Sequence, residues 1–353
     1  MTLREINISH VRCLDEVRLQ LAAGLTLICG GNGSGKTTIL EAVFLLGRGR
    51  SFRTRNNVRL ITHGQSHLRI TGQVDGPLGG PVTMGIQVDA HGTSARIAGH
   101  EAGSLAELSQ AFAVQVIEPG VHRLIEEAGY RRRRWLDWAV FHVEPRFIDI
   151  WLQYSRGLKQ RNAALKLAGS DPGVWDAELA RLGEAMTQCR QNLVERLEPY
   201  WRETVTTLCG LDIDLRYQRG WAQGYTLAEA LAVARPRDVA RQVTQVGPHR
   251  ADVALHVRGR PARDVLSRGQ QKLVAAAMTV AQLKLLQEAA ELKLTLLLDD
   301  PAAELDAPHL ERFVAQVASL RCQLVVTSLH AESRLFGAPD RAFRVEEGRV
   351  HPL

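Results

Sequence analysis

Nowhere does the sequence carry the roughly 18 consecutive apolar residues that a membrane helix needs, so no membrane partner is expected. The first residues, Met1-Thr2-Leu3-Arg4-Glu5, lack the apolar core of a signal peptide, which argues against export. The five cysteines (Cys13, Cys29, Cys189, Cys209 and Cys322) are scattered and contain no CxxC pair. That pattern fits neither a disulfide framework nor a zinc site. A reduced cytosol is the simple reading, and a cytoplasmic protein is expected. Internal repeats, a heptad array of coiled-coil length and a low-complexity tail are also absent.

What is present suffices for a sizeable core: 353 residues, 45% of them apolar, enough for one large or two smaller domains. Lys and Arg number 44 against 38 Asp and Glu, a formal net charge of +6. A basic balance suits a partner made of phosphates. Many cytosolic proteins are equally basic, so charge alone favours nucleic acid only weakly.

Along the chain, Val17, Leu19 and Leu21 alternate with Arg18 and Gln20, a half-exposed strand. Leu25-Thr26-Leu27-Ile28-Cys29 is a short buried strand, followed by a Gly-rich loop and an apolar helix over about 38–46. Residues 57–117 read as an antiparallel β section, and residues from about 121 to 208 as long helices. Residues 243–258 look strand-like, 273–288 helical, and 294–298 and 324–326 are apolar strands.

Gly30-Gly31-Asn32-Gly33-Ser34-Gly35-Lys36-Thr37 matches GxxxxGK[ST] in full, between a strand and a helix. Glycines let backbone N–H groups close around phosphates, and the helix aims its positive end at the anion. Lys36 supplies charge near the β- and γ-oxygens, and the Thr37 hydroxyl can ligate Mg²⁺. A chance Gly-rich turn is the bland alternative, and the strand–loop–helix context argues against it. ATP and Mg²⁺ are therefore the expected cofactors.

Leu294-Thr295-Leu296-Leu297-Leu298-Asp299-Asp300 is an apolar strand ending in two carboxylates. Beside a phosphate loop, Asp299 is placed to hold Mg²⁺. Asp300 would face the γ-phosphate, either as a general base or only orienting water. An acid-capped strand end is the alternative, and the loop argues against it.

Leu266-Ser267-Arg268-Gly269-Gln270-Gln271-Lys272 precedes the 273–288 helix. Ser267 would offer a hydroxyl and amides at a helix N-terminus, which an ordinary N-cap also does. The stretch resembles the signature motif of ABC ATPases, with Arg268 where transporters usually have Gly. Glu304-Leu305-Asp306 and His330 then follow in ABC order, at the D-loop and switch-histidine positions. A lone His in that setting is more often a surface residue. The resemblance implies that ATP is sandwiched in a homodimer: Ser267, Arg268, Gly269 and Gln270 of one copy close over residues 30–37 and Thr38 of another. Lys36, Asp300 and Ser267 would then carry a slow hydrolysis.

About 230 residues separate Lys36 from Ser267. That exceeds the transporter spacing about twofold and falls far short of coiled-coil SMC proteins. His10-Val11-Arg12-Cys13-Leu14, Leu40-Glu41-Ala42-Val43-Phe44-Leu45-Leu46 and Gly49-Arg50-Ser51-Phe52-Arg53-Thr54 add further matches. So do Arg131-Arg132-Arg133-Arg134-Trp135-Leu136-Asp137-Trp138 and Gly247-Pro248-His249-Arg250-Ala251-Asp252. In this order, along nearly the whole chain, they resemble the RecF family of bacterial recombination mediators, compact members of the SMC/Rad50-like group. Departures are Pro119-Gly120-Val121, Ala251 and Pro301, which leave the γ-phosphate surroundings open.

The implied fold is α/β: an ABC-type P-loop ATPase head, a mixed sheet with helices plus an antiparallel β section, and an inserted, mainly helical second lobe. The head is expected over 1–118 and 243–353, the helical lobe over 119–242. The implied function is ATP-dependent binding of DNA at single-strand/double-strand gap junctions in recombinational repair and replication restart. RecR and RecO are the implied partners in loading RecA. An ABC transporter ATPase subunit is the alternative, and a small-molecule kinase a third reading that leaves Ser267 unexplained.

Two basic groups could meet DNA: Arg48, Arg50, Arg53, Arg55 and Arg59, and the run of Arg131, Arg132, Arg133 and Arg134. A helix spreads four consecutive arginines around its axis, so the second group reads as structural, pairing with Asp137 or Glu127. The first group is balanced between solvent, DNA and nucleotide. Trp135, Trp138, Trp151 and Trp175 read as core rather than stacking platforms.

Overall fold

The computed structural model describes residues 2–76, 80–167, 169–290 and 292–353. The chain divides into two compact units, Met1–Val121 with Ala276–Leu353, and His122–Ala275.

The first unit holds two sheets. The parallel one has the order Arg349–Pro352, Arg341–Glu346, Leu25–Cys29, Gln323–Ser328, Thr295–Leu298, Val114–Ile117. All its neighbours run parallel except the final hairpin pair. Thr295–Leu298 is buried at every residue, which is why it reads as a continuous apolar run. The antiparallel sheet is built from Leu3–Val11, Leu14–Gln20, His67–Asp75, Pro81–Asp89, Gly92–Ile97 and His100–Glu101.

Between these sheets lies the helix Lys36–Arg48, which contacts strands of both. Ile39, Leu40, Val43 and Leu46 join Ile6, Ile8, Leu68 and Ile70 on one side and Leu297 and Val325 on the other. Each such aliphatic side chain contributes about 1.5–3 kcal/mol by leaving water. The helix after the phosphate loop is therefore the centre of this unit.

One expectation fails here. Val114–Ile117 does not extend the antiparallel section; it pairs in parallel with Thr295–Leu298. A four-residue apolar run carries no periodicity that distinguishes the two sheets.

The second unit has the helices Tyr130–Val143, Phe147–Ala164, Asp176–Cys209 and Leu227–Arg241, with a small sheet of Asp214–Gln218, Asp252–Val257 and Arg260–Pro261. Its interior contains paired charges. Fully buried Arg161 donates to Asp176 and Asp238, each at 2.8 Å. Arg190 forks onto Asp137 at 2.7 and 2.9 Å. Thr226 and Glu229 form a reciprocal cap on Leu227–Arg241.

Residues 243–275 fall in this unit, whereas the sequence places 243–353 in the ATPase head. Two contacts hold them there. Asp252–Val257 pairs along its length with Asp214–Gln218, and Arg132 makes a two-pronged bridge to Asp252 at 2.8 Å on both arms.

Candidate nucleotide site

The strand Leu25–Cys29 ends at Gly30, whose φ is +154°. A Cβ at Gly30 would sit 2.3 Å from the Val345 carbonyl oxygen and 2.9 Å from Ser34 Oγ. Only glycine lets the chain turn this close to the hairpin of residues 341–352. The Gly348 amide donates to the Ser34 carbonyl at 3.0 Å, so the same hairpin braces the loop from below. The helix Lys36–Arg48 then starts at Gly35 with no side-chain cap. Its first-turn N–H groups and positive end are left for an anion.

Lys36 is buried, and its ammonium donates to the carbonyls of Gly30 and Gly31 at 2.7 and 2.8 Å. One of its three donors remains for a phosphate oxygen. Ser34 Oγ is buried with no hydrogen-bond partner among the described residues. Such an atom is costly unless a ligand meets it. Asn32 and Gly33 form the exposed lip of the loop, while Thr38 is buried behind it.

Thr37 lies beside Asp299. Its hydroxyl is 3.0 Å from both carboxylate oxygens of Asp299. Buried Thr327, from the neighbouring strand, donates to Asp299 at 2.9 Å and accepts the Asp300 amide at 2.9 Å. A hydroxyl and a carboxylate of this kind are an ordinary pair of hard oxygen donors for Mg²⁺.

Asp300 has left-handed backbone, φ +45° and ψ +57°. Burial raises its carboxyl above the usual range; Lys36 pulls it back and Asp299 pushes it further up. Pro301 occupies the first turn of the short helix Pro301–Glu304, where its missing N–H costs nothing. The departure at Pro301 is thus accommodated by ordinary helix geometry.

A hub the sequence reading missed stands behind the loop. Glu41 is fully buried in the phosphate-loop helix and receives Arg12 at 2.6 and 3.1 Å, together with the Ser51 hydroxyl. Arg53 lies 3.7 Å from the same carboxylate, and the Arg53 and Thr54 amides donate to Ser51 Oγ. The available signal was a lone acid inside an apolar helix, which must be paired if buried.

The remaining candidates are placed as follows. Asp306 caps the helix Ala307–Ala318, accepting the His309 amide at 3.0 Å and pairing with its ring at 2.6 Å. His330 is exposed just past the strand Gln323–Ser328. In the second unit, Ser267 starts the helix Arg268–Ala290, five residues earlier than the spacing indicated. Ser267 Oγ accepts the Gln270 amide at 3.3 Å, and Gln270 Oε1 accepts the Ser267 amide at 3.0 Å. That is a reciprocal cap. Ser267, Arg268, Gly269 and Gln270 are all exposed.

The run of four arginines is largely internal to its unit. Arg131 pairs with Glu127 at 2.7 Å, Arg133 donates to the Ala251 carbonyl at 2.6 Å, and Arg134 lies over Tyr130. Asp137 is not a partner; buried Arg190 takes it with two hydrogen bonds. Arg53, Arg55 and Arg59 are exposed, whereas Arg48 and Arg50 are half-buried. Trp135 and Trp138 are buried, but Trp151 and Trp175 only partly so.

A phosphate loop inside a parallel sheet, with a carboxylate-tipped strand two places away across Gln323–Ser328 and an antiparallel sheet over its helix, defines the ATPase-head class of P-loop proteins. The family model described as RecF/RecN/SMC N terminal domain matches residues 2–349. The DNA replication and repair protein RecF of Pseudomonas putida is 38% identical, over 99% of this chain and 98% of its own length. That of Pseudomonas syringae pv. tomato is 37% identical over the same shares. Among solved structures, the recombination mediator protein RecF–ATP of the RecFOR pathway superposes with a TM-score of 0.89 at 25% identity, covering 99% of this chain and 97% of that one. An Smc head bound to the C-winged helix domain of ScpA shares the fold, with a TM-score of 0.60 at 16% identity, covering 100% and 98%. The chain belongs to the RecF family. The transporter reading is set aside, and among the described residues no helix is long and apolar enough to cross a membrane.

Proposed function

We propose that this chain is an ATP-switched DNA-binding protein of recombinational repair and replication restart, acting at gap junctions with RecR and RecO to load RecA. The observation that carries the nucleotide half is the corner formed by Lys36, Thr37 and Asp299 beneath an uncapped helix N-terminus. Ser34 Oγ, buried and unpartnered, fits a phosphate oxygen at the same place. Thr37 and Asp299 would hold Mg²⁺, which neutralises phosphate charge when bound. Lys36 and the loop amides orient the triphosphate. Asp300 is held half-buried beyond Asp299, where a carboxylate of raised proton affinity can receive a proton from water.

The DNA half rests on family membership, on the net charge of +6 and on the exposed Arg53, Arg55 and Arg59. Dimerisation rests on the signature stretch. Ser267–Gln270 is exposed at a helix start, a surface able to close on the γ-phosphate held by a second copy. Hydrolysis then releases the clasp and is slow.

The test is to size the protein with ATP, ADP or no nucleotide, with and without gapped DNA. Lys36→Met is expected to abolish nucleotide binding or turnover. Ser267→Arg is expected to spare ATP binding by the monomer and block the dimer. A Ser267→Arg variant that still dimerises with ATP overturns the trans-site reading. DNA affinity that is equal with and without ATP overturns the switch.

A further inference from the structure

The second unit contains a groove that none of the nucleotide chemistry uses. Its volume is ≈ 790 Å³, and Arg216, Arg219 and Arg250 line it with one acid, Glu195. Local geometry brings these residues together. In the strand Asp214–Gln218, Leu215 is buried inward while Arg216 and Gln218 point out. The chain leaves the strand at Gly220, with φ +90°. A Cβ there would lie 2.3 Å from the Gly247 carbonyl and 2.7 Å from the Ala251 amide. Glycine is thus required for Arg219 and Trp221 to reach the loop that carries Arg250. A hydrogen bond from the Gly247 amide to the Gly220 carbonyl, 3.2 Å, closes the contact.

The lining is charged and aromatic together. The Arg219 guanidinium lies 4.9 Å from the centre of the Trp221 indole and donates to the Ala222 carbonyl at 2.6 Å. The indole N–H donates to the Tyr225 carbonyl at 3.1 Å, which fixes the ring plane. Among the described residues, no carboxylate ion-pairs with Arg219 or Arg250; Arg250 reaches only the Thr244 carbonyl. Arg219 Nε is buried without a hydrogen-bond partner. Arg216 is paired with Asp214 at 3.2 Å, so Arg219 and Arg250, set against the one acid Glu195 of the lining, call for an anionic ligand, and a fixed guanidinium–indole pair calls for a flat one.

We infer that this groove binds single-stranded nucleic acid, with backbone phosphates on Arg216, Arg219 and Arg250 and a base stacked on the Arg219–Trp221 pair. Duplex DNA keeps its bases stacked inward and cannot use the indole, so the groove selects the unpaired strand. An acidic peptide would satisfy the arginines yet leave the platform without a partner. The inference rests on the DNA-binding reading above and adds where, and in which form, the strand is held.

The test uses the full chain, labelled oligo-dT and a blunt duplex, with affinities read by fluorescence anisotropy at several salt concentrations. Trp221→Ala is expected to weaken oligo-dT binding about tenfold, with duplex affinity and ATP binding unchanged. Trp221→Phe should retain most of the affinity. Exposed Arg216, changed to Ala, should lower the salt slope for the single strand by about 0.7, one phosphate contact. Equal oligo-dT affinity in Trp221→Ala and the unaltered chain overturns the assignment, as does a proportional loss on duplex. Oligo-glutamate of matched charge competing as well as oligo-dT also overturns it, in favour of an acidic peptide. If the unaltered chain binds no DNA in any form, it is the DNA-binding reading itself that fails.

Discussion

Thr327 donates a hydrogen bond to the Asp299 carboxylate and receives one from the Asp300 amide, so a single hydroxyl aligns both acids of the candidate site. The side chain is fully buried, one strand away from the acids it orients. Residues that orient a metal-binding carboxylate in this way typically change metal affinity when removed.

Thr327→Val, nearly equal in volume, is therefore expected to weaken Mg²⁺-dependent ATP binding by about 10- to 100-fold. Calorimetric titration with ATP at graded Mg²⁺ measures it. Unchanged Mg²⁺ dependence would show that Asp299 needs no such support.

Asp300 carries a carboxyl raised by burial. The folded chain holds that proton more tightly than the unfolded chain does. Its contribution to stability is present below the unfolded carboxylate range and is lost as pH rises through the raised value. At neutral pH Asp300→Asn should accordingly raise Tm slightly while removing hydrolysis. In the unaltered chain, turnover should fall on acidification earlier than an ordinary carboxylate requires. A pH–rate profile and paired thermal melts check both halves.

His249 sits between the Tyr154 hydroxyl at 2.8 Å and the Thr244 carbonyl at 3.0 Å. Burial, with Arg250, Arg133 and Arg190 adding to it, lowers its pKa to about 4. The unfolded chain binds the proton near 6.5, so stability is complete above that value and declines as pH falls towards 4. The loss at pH 4 is about 3 kcal/mol. His249→Gln should flatten the pH dependence of denaturant midpoints across that window; an unchanged slope would assign the acid sensitivity elsewhere.

Arg161→Met removes the partner of Asp238, which is fully buried. Leaving such a carboxylate unpaired is expected to cost about 3–5 kcal/mol. Denaturant titration followed by circular dichroism measures it. Replacing Arg161 and Asp238 together with apolar residues should recover much of the loss.

The parts of the site legible in the sequence were those written in consecutive residues. The loop of residues 30–37 and the run ending at Asp299 each combine a buried strand with groups that strand delivers, so reading one element was enough. Glu41 was not legible as a hub, because Arg12, Ser51 and Arg53 reach it only once a strand turn and a loop have folded onto the helix. Asp137 could have met Arg133 or Arg134 by helical spacing. The buried, two-pronged contact from Arg190 wins, and it depends on a helix more than thirty residues away. Val114–Ile117 was misplaced for a related reason: four apolar residues state a strand but not its neighbour.

The hairpin of residues 341–352 forms the floor of the phosphate loop through Val345 and Gly348. Ribosomes deliver that floor long after residues 30–37 have emerged. A nascent chain halted before residue 341 has the motif but not the floor that Val345 and Gly348 supply. The candidate ATP site is therefore complete only late in synthesis, and a chain cut short before residue 341 is expected to bind ATP poorly.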